Sequence, residues 1–121
     1  MAAIGTLIAE SLRPGALIEL GLTLRRLQRV TVSDSAAGQP PVWTLIDFTC
    51  PDDLAGGFAE QLAAAMDSGP WYADYSTDET KYVVFAGKVI AYPQGDAEGY
   101  KQAVEHARAI GVPEAQLDWQ R

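Results

Sequence analysis

The sequence predicts an α+β domain, a two-layer sandwich in which two helices lie on one face of an antiparallel or mixed sheet of about five strands. Three observations predict this class. Residues 22–32 end in three β-branched residues and residues 42–49 are mostly β-branched and aromatic, apolar residues recur every four positions after Pro51, and a second helical period begins near residue 95. Strands followed by a helix, a hairpin and a helix are typical of two packed layers. With 121 residues the chain has the length of one domain, so residues 1–121 are expected to form one.

The amino-terminal part of the chain predicts strands. Residues 4–12 are interpreted as a first strand, although their pattern also permits a helix. Residues 22–32 and 42–49 predict a β-hairpin, whose long tip at residues 33–41 is rich in small residues and proline. A helix over residues 17–28 is the alternative, because leucines recur there at helical spacing.

The first helix is predicted to begin at Pro51 and to end near residues 68–70. Thr49 or Cys50 can cap it, proline is favoured in a first turn, and two aspartates follow where the helix dipole favours anions. Cys50 therefore lies at a predicted strand-to-helix junction. The apolar stripe of this helix comprises Leu54, Phe58, Leu62 and Met66.

The carboxy-terminal part predicts a second group of strands and a second helix. Residues 71–76 and 82–92 are interpreted as two or three strands, and the first four residues of the second segment are apolar on both faces. A strand of this kind is covered on both sides. The last helix spans about residues 95–111, and the tail after it is expected to pack Leu117 and Trp119 against the body.

With both helices on one face, the other face of the predicted sheet has nothing to cover it. Large bare apolar patches are rare on monomers. This face is therefore expected to be a homodimer surface or the floor of a pocket.

Charge and composition exclude several functions. Nine basic and sixteen acidic residues give a formal net charge of −7, which disfavours nucleic acid and anionic membranes as partners. One cysteine cannot form an internal disulfide, and no signal peptide or long apolar run is visible, so a cytoplasmic location is expected. No phosphate loop, nucleophile elbow or metal-ligand spacing is present, so no cofactor and no metal is predicted.

The segment that contains Trp71, Tyr72 and Asp74 is the first candidate binding site. Asp74 lies between two tyrosines, and aromatic rings with one carboxylate are common in ligand pockets. The alternative is that these aromatic residues are ordinary core or cross-strand pairs.

Arg25, Arg26 and Arg29 form the one basic cluster of the sequence. Their guanidinium groups could bind a small anionic ligand, because arginine pairs bidentately with carboxylate or phosphate. Alternatively they keep an exposed strand soluble, or they pair with acidic residues of the same fold or of a dimer partner.

Cys50 and His106 are the remaining candidates for chemistry. A thiol at a helix N-terminus can form a thiolate nucleophile, but free cysteine is more often buried, and the aspartates that follow Cys50 would raise its pKa. His106 is the only histidine and lies at the flank of the apolar stripe of the last helix. A dyad of the two would require that the fold bring them together.

Several segments together resemble a family of small uncharacterised bacterial proteins, and the resemblance covers most of the chain. It implies a bacterial origin and one domain of typical length, and it gives no residue a role because no activity is assigned to the family. The segments are Glu10-Ser-Leu-Arg-Pro-Gly15, Trp43-Thr-Leu-Ile46, Trp71-Tyr-Ala-Asp74, Val83-Val-Phe-Ala-Gly87, Tyr92-Pro-Gln-Gly-Asp96 and Val112-Pro-Glu-Ala-Gln-Leu-Asp-Trp119.

We therefore interpret the sequence as a non-catalytic binding or protein-interaction module that forms a homodimer. The alternative is a small cytosolic enzyme or metabolite sensor, whose cleft is lined by the aromatic and acidic residues near Asp74 and by the arginine cluster, with Cys50 as a reactive thiol.

Overall fold

A computed structural model of the chain describes residues 2–117 and 119. Six strands form one sheet in the order β2-β3-β1-β4-β5-β6, and every neighbouring pair is antiparallel. The strands are β1 (Ala2–Ile8), β2 (Thr23–Thr31), β3 (Val42–Pro51), β4 (Ala73–Ser76), β5 (Thr80–Phe85) and β6 (Lys88–Pro93).

Two α-helices follow β3 and β6, namely α1 (Ala55–Ala65) and α2 (Ala97–Ala109). A short 3-10 helix at Asp52–Leu54 precedes α1, and another at Glu114–Gln116 lies in the tail after α2. The predicted α+β class is confirmed, with an antiparallel sheet of six strands rather than about five.

Most of the predicted elements are confirmed, but the predicted start of the first helix is wrong. The hairpin of β2 and β3 forms with its long tip, so the alternative helix over residues 17–28 is wrong. Thr49 and Cys50 do not cap α1, because both are strand residues; Leu54 holds the N-cap position and makes no side-chain cap bond. The aspartates that follow Cys50 fall in the 3-10 turn, so the chain enters α1 one turn later than the sequence indicates.

The two helices cover opposite faces of the sheet, which differs from the expected placement on one face. Phe58 of α1 packs against Phe48 and Tyr75, whereas α2 packs against Val83, Phe85 and their neighbours on β6. Successive strand residues point to opposite faces. Val84 belongs to the α1 core and Val83 to the α2 core, so β5 is apolar on both sides because a helix covers each side.

The core under α1 depends on one close approach within the sheet. Tyr75 is fully buried, and its hydroxyl donates a hydrogen bond of 2.5 Å to the Ala55 carbonyl at the start of α1. Gly5 lies directly opposite Tyr75 on the adjacent strand, and a side chain there would overlap the Tyr75 backbone and Cβ. Glycine at this position therefore permits the close approach of β1 and β4.

The core on the α2 face does not extend across the whole sheet but lies on its β5–β6 side. Asp96 caps α2 by accepting a hydrogen bond of 2.9 Å from the Gly99 N–H, and Gly99 brings the helix against the Tyr92 ring of β6. The expected packing of Leu117 and Trp119 against the body is confirmed, since both join this core.

The face that α2 covers is called the α2 face below, and its part over β4, β1, β3 and β2 is called the open part. The exposed side chain of Ile4 lies there, on the opposite side of β1 from the buried Ala3. The expectation of a wholly uncovered apolar face is therefore wrong, because α2 covers the β5–β6 side. In the described residues no helix is both long and apolar enough to cross a membrane.

Candidate ligand-binding cavity

A cavity of about 400 Å³ lies at one end of the open part of the α2 face. Its floor is formed by β1, β2, β3 and β4, and its rim is formed by the β2–β3 loop, the segment before β4 and the tail after α2. Aliphatic side chains make up much of the floor, namely Ile8, Val30, Val32 and Leu45.

Three aromatic side chains form one wall of the cavity. Trp43 and Trp71 are buried, with ring centroids 5.4 Å apart and planes tilted by 58°. The Trp43 indole N–H donates 2.9 Å to the Pro40 carbonyl, which fixes that ring relative to the loop. Tyr72 completes the wall, and its hydroxyl donates a short hydrogen bond to the Gln116 carbonyl of the tail.

Asp74 is an acidic group of the floor. Its carboxylate accepts a hydrogen bond of 2.6 Å from the Lys81 ammonium, and Lys81 is buried on the adjacent strand β5. A buried ammonium requires such a partner, since an unpaired charge away from water is strongly unfavourable. Thr6, directly opposite Asp74 on β1, also lines the cavity and donates 2.8 Å to Asp47.

Two glutamines join the three segments of the rim. The buried Gln39 donates to the Pro70 carbonyl at 2.6 Å and accepts from the Ala36 N–H at 2.8 Å. The side-chain amide of Gln116, in the tail, donates to the side-chain carbonyl oxygen of Gln39 at 3.0 Å and to the backbone carbonyl of Asp34 at 2.9 Å. These bonds tie the β2–β3 loop, the segment before β4 and the tail together above the cavity.

The three predicted arginines do not line this cavity. Arg26 pairs with Asp47 at 2.8 Å, and Arg29 lies 3.8 Å from Glu10 and donates to the Thr44 hydroxyl at 3.1 Å. Arg25 lies at the β-bulge of the edge strand β2. The arginines are thus used in part as expected, in pairs with acidic residues of the same fold. The alternative interpretation placed them in one cleft with the aromatic residues, whereas the fold separates the two groups.

Glu10 is held in its ionised form by this arrangement. Burial opposes ionisation, but hydrogen bonds from the Thr44 N–H at 2.6 Å and hydroxyl at 2.9 Å, with the Arg29 charge, outweigh it and lower the Glu10 pKa. Glu10 therefore fixes the chain after β1 against β3. This structural role explains the position of the Glu10 carboxylate, and no ligand is needed to explain it.

Cys50 and His106 lie on opposite faces of the sheet. Cys50 is 1% exposed in the α1 core, and burial, together with the charges of Asp52 and Asp53, raises the pKa of its thiol. His106 is on α2, where its ring meets Phe85 edge-on at 4.5 Å, and burial and the Lys88 charge lower its pKa. The fold therefore brings together no Cys–His dyad, and Cys50 has the environment of a core residue.

The structure brings Trp71, Tyr72 and Asp74 to one cavity, as the sequence pattern indicates, and their binding role stays a prediction. Sequence reasoning missed Trp43 and Gln116, which come from β3 and from the tail. In the sequence, Trp43 can be recognised only as a tryptophan in a predicted strand, and Gln116 only as a polar residue of the tail. Their contribution depends on strand order and on the path of the tail, which no local pattern encodes.

Within residues 2–117 and 119, no group of three or more His, Cys, Asp or Glu side chains could hold a metal ion. Comparisons of the chain with protein-family models, with curated proteins and with solved structures found no match. The resemblance to a family of small bacterial proteins therefore stays a prediction.

Proposed function

We propose that this protein is a non-catalytic binding module whose ligand occupies the cavity on the α2 face. The observation that supports this most directly is the cavity itself, about 400 Å³ with an aliphatic floor, an aromatic wall and a few polar groups. Ligand sites are typically concave, mostly apolar and of this size, with few polar groups that orient the ligand. The two buried indole rings make the wall rigid before any ligand arrives.

The arrangement of reactive groups supports binding rather than catalysis. Nucleophilic catalysis requires a nucleophile within hydrogen-bond reach of a base. Cys50 and His106 lie outside the cavity, and the Thr6 hydroxyl donates to Asp47, which also accepts from Arg26. Asp74 is paired with Lys81. The carboxylate that the Thr6 hydroxyl contacts is thus already engaged in an ion pair with Arg26, and the lining carboxylate of Asp74 is engaged by Lys81.

A compound screen with two matched variants tests the proposal. Thermal-shift screening of small metabolites should find a compound that stabilises the protein and is recovered unchanged after incubation. Val30→Trp, which places an indole into the cavity from β2, should abolish this stabilisation. Thr31→Trp adds the same group at the neighbouring exposed residue, which points to the other face, and should leave it intact.

Three results would contradict the proposal. A stabilising compound whose effect is unchanged in Val30→Trp binds elsewhere, so the cavity would not be the site. A compound that is chemically altered on incubation would make the protein an enzyme. A screen without any stabilising compound would remove the support for a small-molecule site.

Self-association is a second candidate function, and the edge strand β2 favours it. β2 is one of the two edge strands of the sheet, and all its residues except Val30 are exposed. Leu24 and Leu27 are 60% and 61% exposed and share the α1 face, since they lie opposite Phe48 and Ile46. An unpaired edge with exposed leucines can pair with a second strand.

We propose a second copy of β2 as the partner of this edge. Antiparallel pairing centred on Gln28 would place Arg26 opposite Val30 and Leu27 opposite Arg29, so that no two arginines face each other. Light scattering should then give about twice the 13.0 kDa chain mass. A monomer at millimolar concentration would contradict the pairing.

Leu24→Lys with Leu27→Lys should return the protein to a monomer. Leu17→Lys, at an exposed leucine outside β2, serves as the control and should not. If the control variant dissociates as well, β2 is not the contact.

A further inference from the structure

We infer that the ligand of the cavity is a small organic cation, an ammonium group carried on a flat apolar body. This inference rests on the proposed binding function and assigns its ligand class. It differs from the anionic ligand that the arginine cluster suggests, because the arginines lie outside the cavity.

The charged residues that line the cavity are both acidic. Asp34 lies at the rim and Asp74 at the floor, and none of the described lining residues is basic. Lys81, the ion-pair partner of Asp74, balances one of the two carboxylates. One net negative charge therefore remains at the cavity, and a cation would neutralise it whereas an anion would add to it.

The Asp74 carboxylate retains acceptor capacity. Lys81 occupies one position on Oδ2, whereas an ionised carboxylate offers about four acceptor positions on its two oxygens. The backbone carbonyl of Asp34 accepts a hydrogen bond from Gln116. The Asp34 carboxylate takes no part in this bond. An ammonium with three donors could bond to one or both carboxylates.

The aromatic wall also favours a positively charged ligand. Cations are attracted to the faces of aromatic rings, most strongly to tryptophan, and this attraction increases in sites with little water. Trp43, Trp71 and Tyr72 line the same cavity as the two carboxylates, and the Trp43 and Trp71 rings are in contact. Ile8, Leu45 and the aliphatic residues of β2 supply contact for an apolar body rather than for a bare ion.

Three probes of nearly the same shape test the ligand class: 2-phenylethylammonium, 2-phenylethanol and phenylacetate. Each carries a phenyl ring on a short arm, and they differ in charge, which is positive, zero and negative. Affinities are measured at low salt by tryptophan fluorescence and by NMR titration. The cation should bind about tenfold more tightly than the alcohol, and phenylacetate should bind more weakly than either.

Asp34→Asn should remove most of the preference for the cation and leave the affinity for 2-phenylethanol unchanged. This residue lies in a loop and its structural bond uses the backbone carbonyl, so the variant should fold as the parent does. Asp74→Asn is a second variant, and its fold is checked by circular dichroism because Lys81 loses its partner. Asp78→Asn, at an exposed turn residue, removes the same charge elsewhere and should change nothing.

The outcomes separate the two proposals. If 2-phenylethanol or phenylacetate binds as tightly as the cation, or if Asp34→Asn and Asp78→Asn behave alike, the ligand class is wrong while the cavity remains a binding site. If none of the three probes binds at millimolar concentration, the ligand class is wrong, and the proposed function fails with it only if the compound screen finds no stabilising compound either.

Discussion

Replacement of Gln39 by methionine tests the rim of the cavity. Methionine has nearly the same length and volume, so packing is preserved while the amide is lost. Gln39 is 8% exposed and its amide joins the β2–β3 loop to the segment before β4 and to the tail. We expect Gln39→Met to lower the free energy of unfolding and to loosen the tail.

The size of the effect follows from the bonds that are lost. Three hydrogen bonds measure 2.6, 2.8 and 3.0 Å, and a fourth at 3.4 Å is too long to contribute much. A hydrogen bond contributes about 1 kcal/mol net, and a buried partner left without a bond costs more. The expected loss is therefore about 3 kcal/mol, or about half of that if water enters and bonds to the Pro70 carbonyl and the Ala36 N–H.

Urea unfolding followed by circular dichroism measures the loss, and hydrogen exchange of the tail amides reports the loosening. Gln61→Met, at an exposed position of α1, is the matched control and should change stability by less than about 0.5 kcal/mol. A loss below about 1 kcal/mol in Gln39→Met, with unchanged tail exchange, would refute the view that this glutamine holds the rim together.

Three further predictions concern the rest of the fold. Gly99→Ala should destabilise the protein by about 1–3 kcal/mol in urea unfolding, because the added methyl group would overlap Tyr92. Gly57→Ala, in open space on α1, should stabilise it by up to about 1 kcal/mol. Equal effects of the two substitutions would contradict the close packing of α2. Cys50 should react with iodoacetamide in the native state far more slowly than in urea, because it is buried and its thiol pKa is raised; equal rates would contradict its burial. As the pH falls below about 6.5, the ordinary pKa of histidine, the unfolded state takes up the His106 proton before the folded state does, so the free energy of unfolding should fall. His106→Gln should flatten this pH dependence. An unchanged profile in the variant would contradict the lowered pKa of His106.

Local patterns predicted the elements of this fold better than their arrangement. The period of four after Pro51 and the alternation near Asp74 each depend on neighbouring residues, and the structure has a helix and a strand there. The position of the first helix cap was missed because the chain makes a 3-10 turn before α1, and aspartates favour either kind of turn.

The placement of α2 on the second face could not be derived from the sequence. The apolar residues of β5 require cover on both sides, and a helix on each face satisfies this requirement as well as a dimer partner does. Which one occurs depends on the direction in which the chain leaves β6. Glycine at residue 99 lets α2 approach Tyr92, but its role is visible only after the helix has been placed.

The candidate site was predictable in part for the same reason. Trp71, Tyr72 and Asp74 are adjacent in sequence, so their association needs no tertiary information. Trp43 and Gln116 reach the same cavity from distant parts of the chain, through the strand order and the path of the tail. The arginines of β2 were assigned to the same cleft because no local signal shows which strand lies at the edge.

The most direct test of the account is an NMR titration of the labelled protein with 2-phenylethylammonium, in which every backbone amide and the three indole N–H groups are followed. We predict that the largest shifts occur at Trp43, Trp71 and Asp74, and in the tail near Gln116, while the Cys50 and His106 regions stay unchanged. Shifts centred on the α1 face or on the β6–α2 surface would contradict the assignment of this cavity as the binding site.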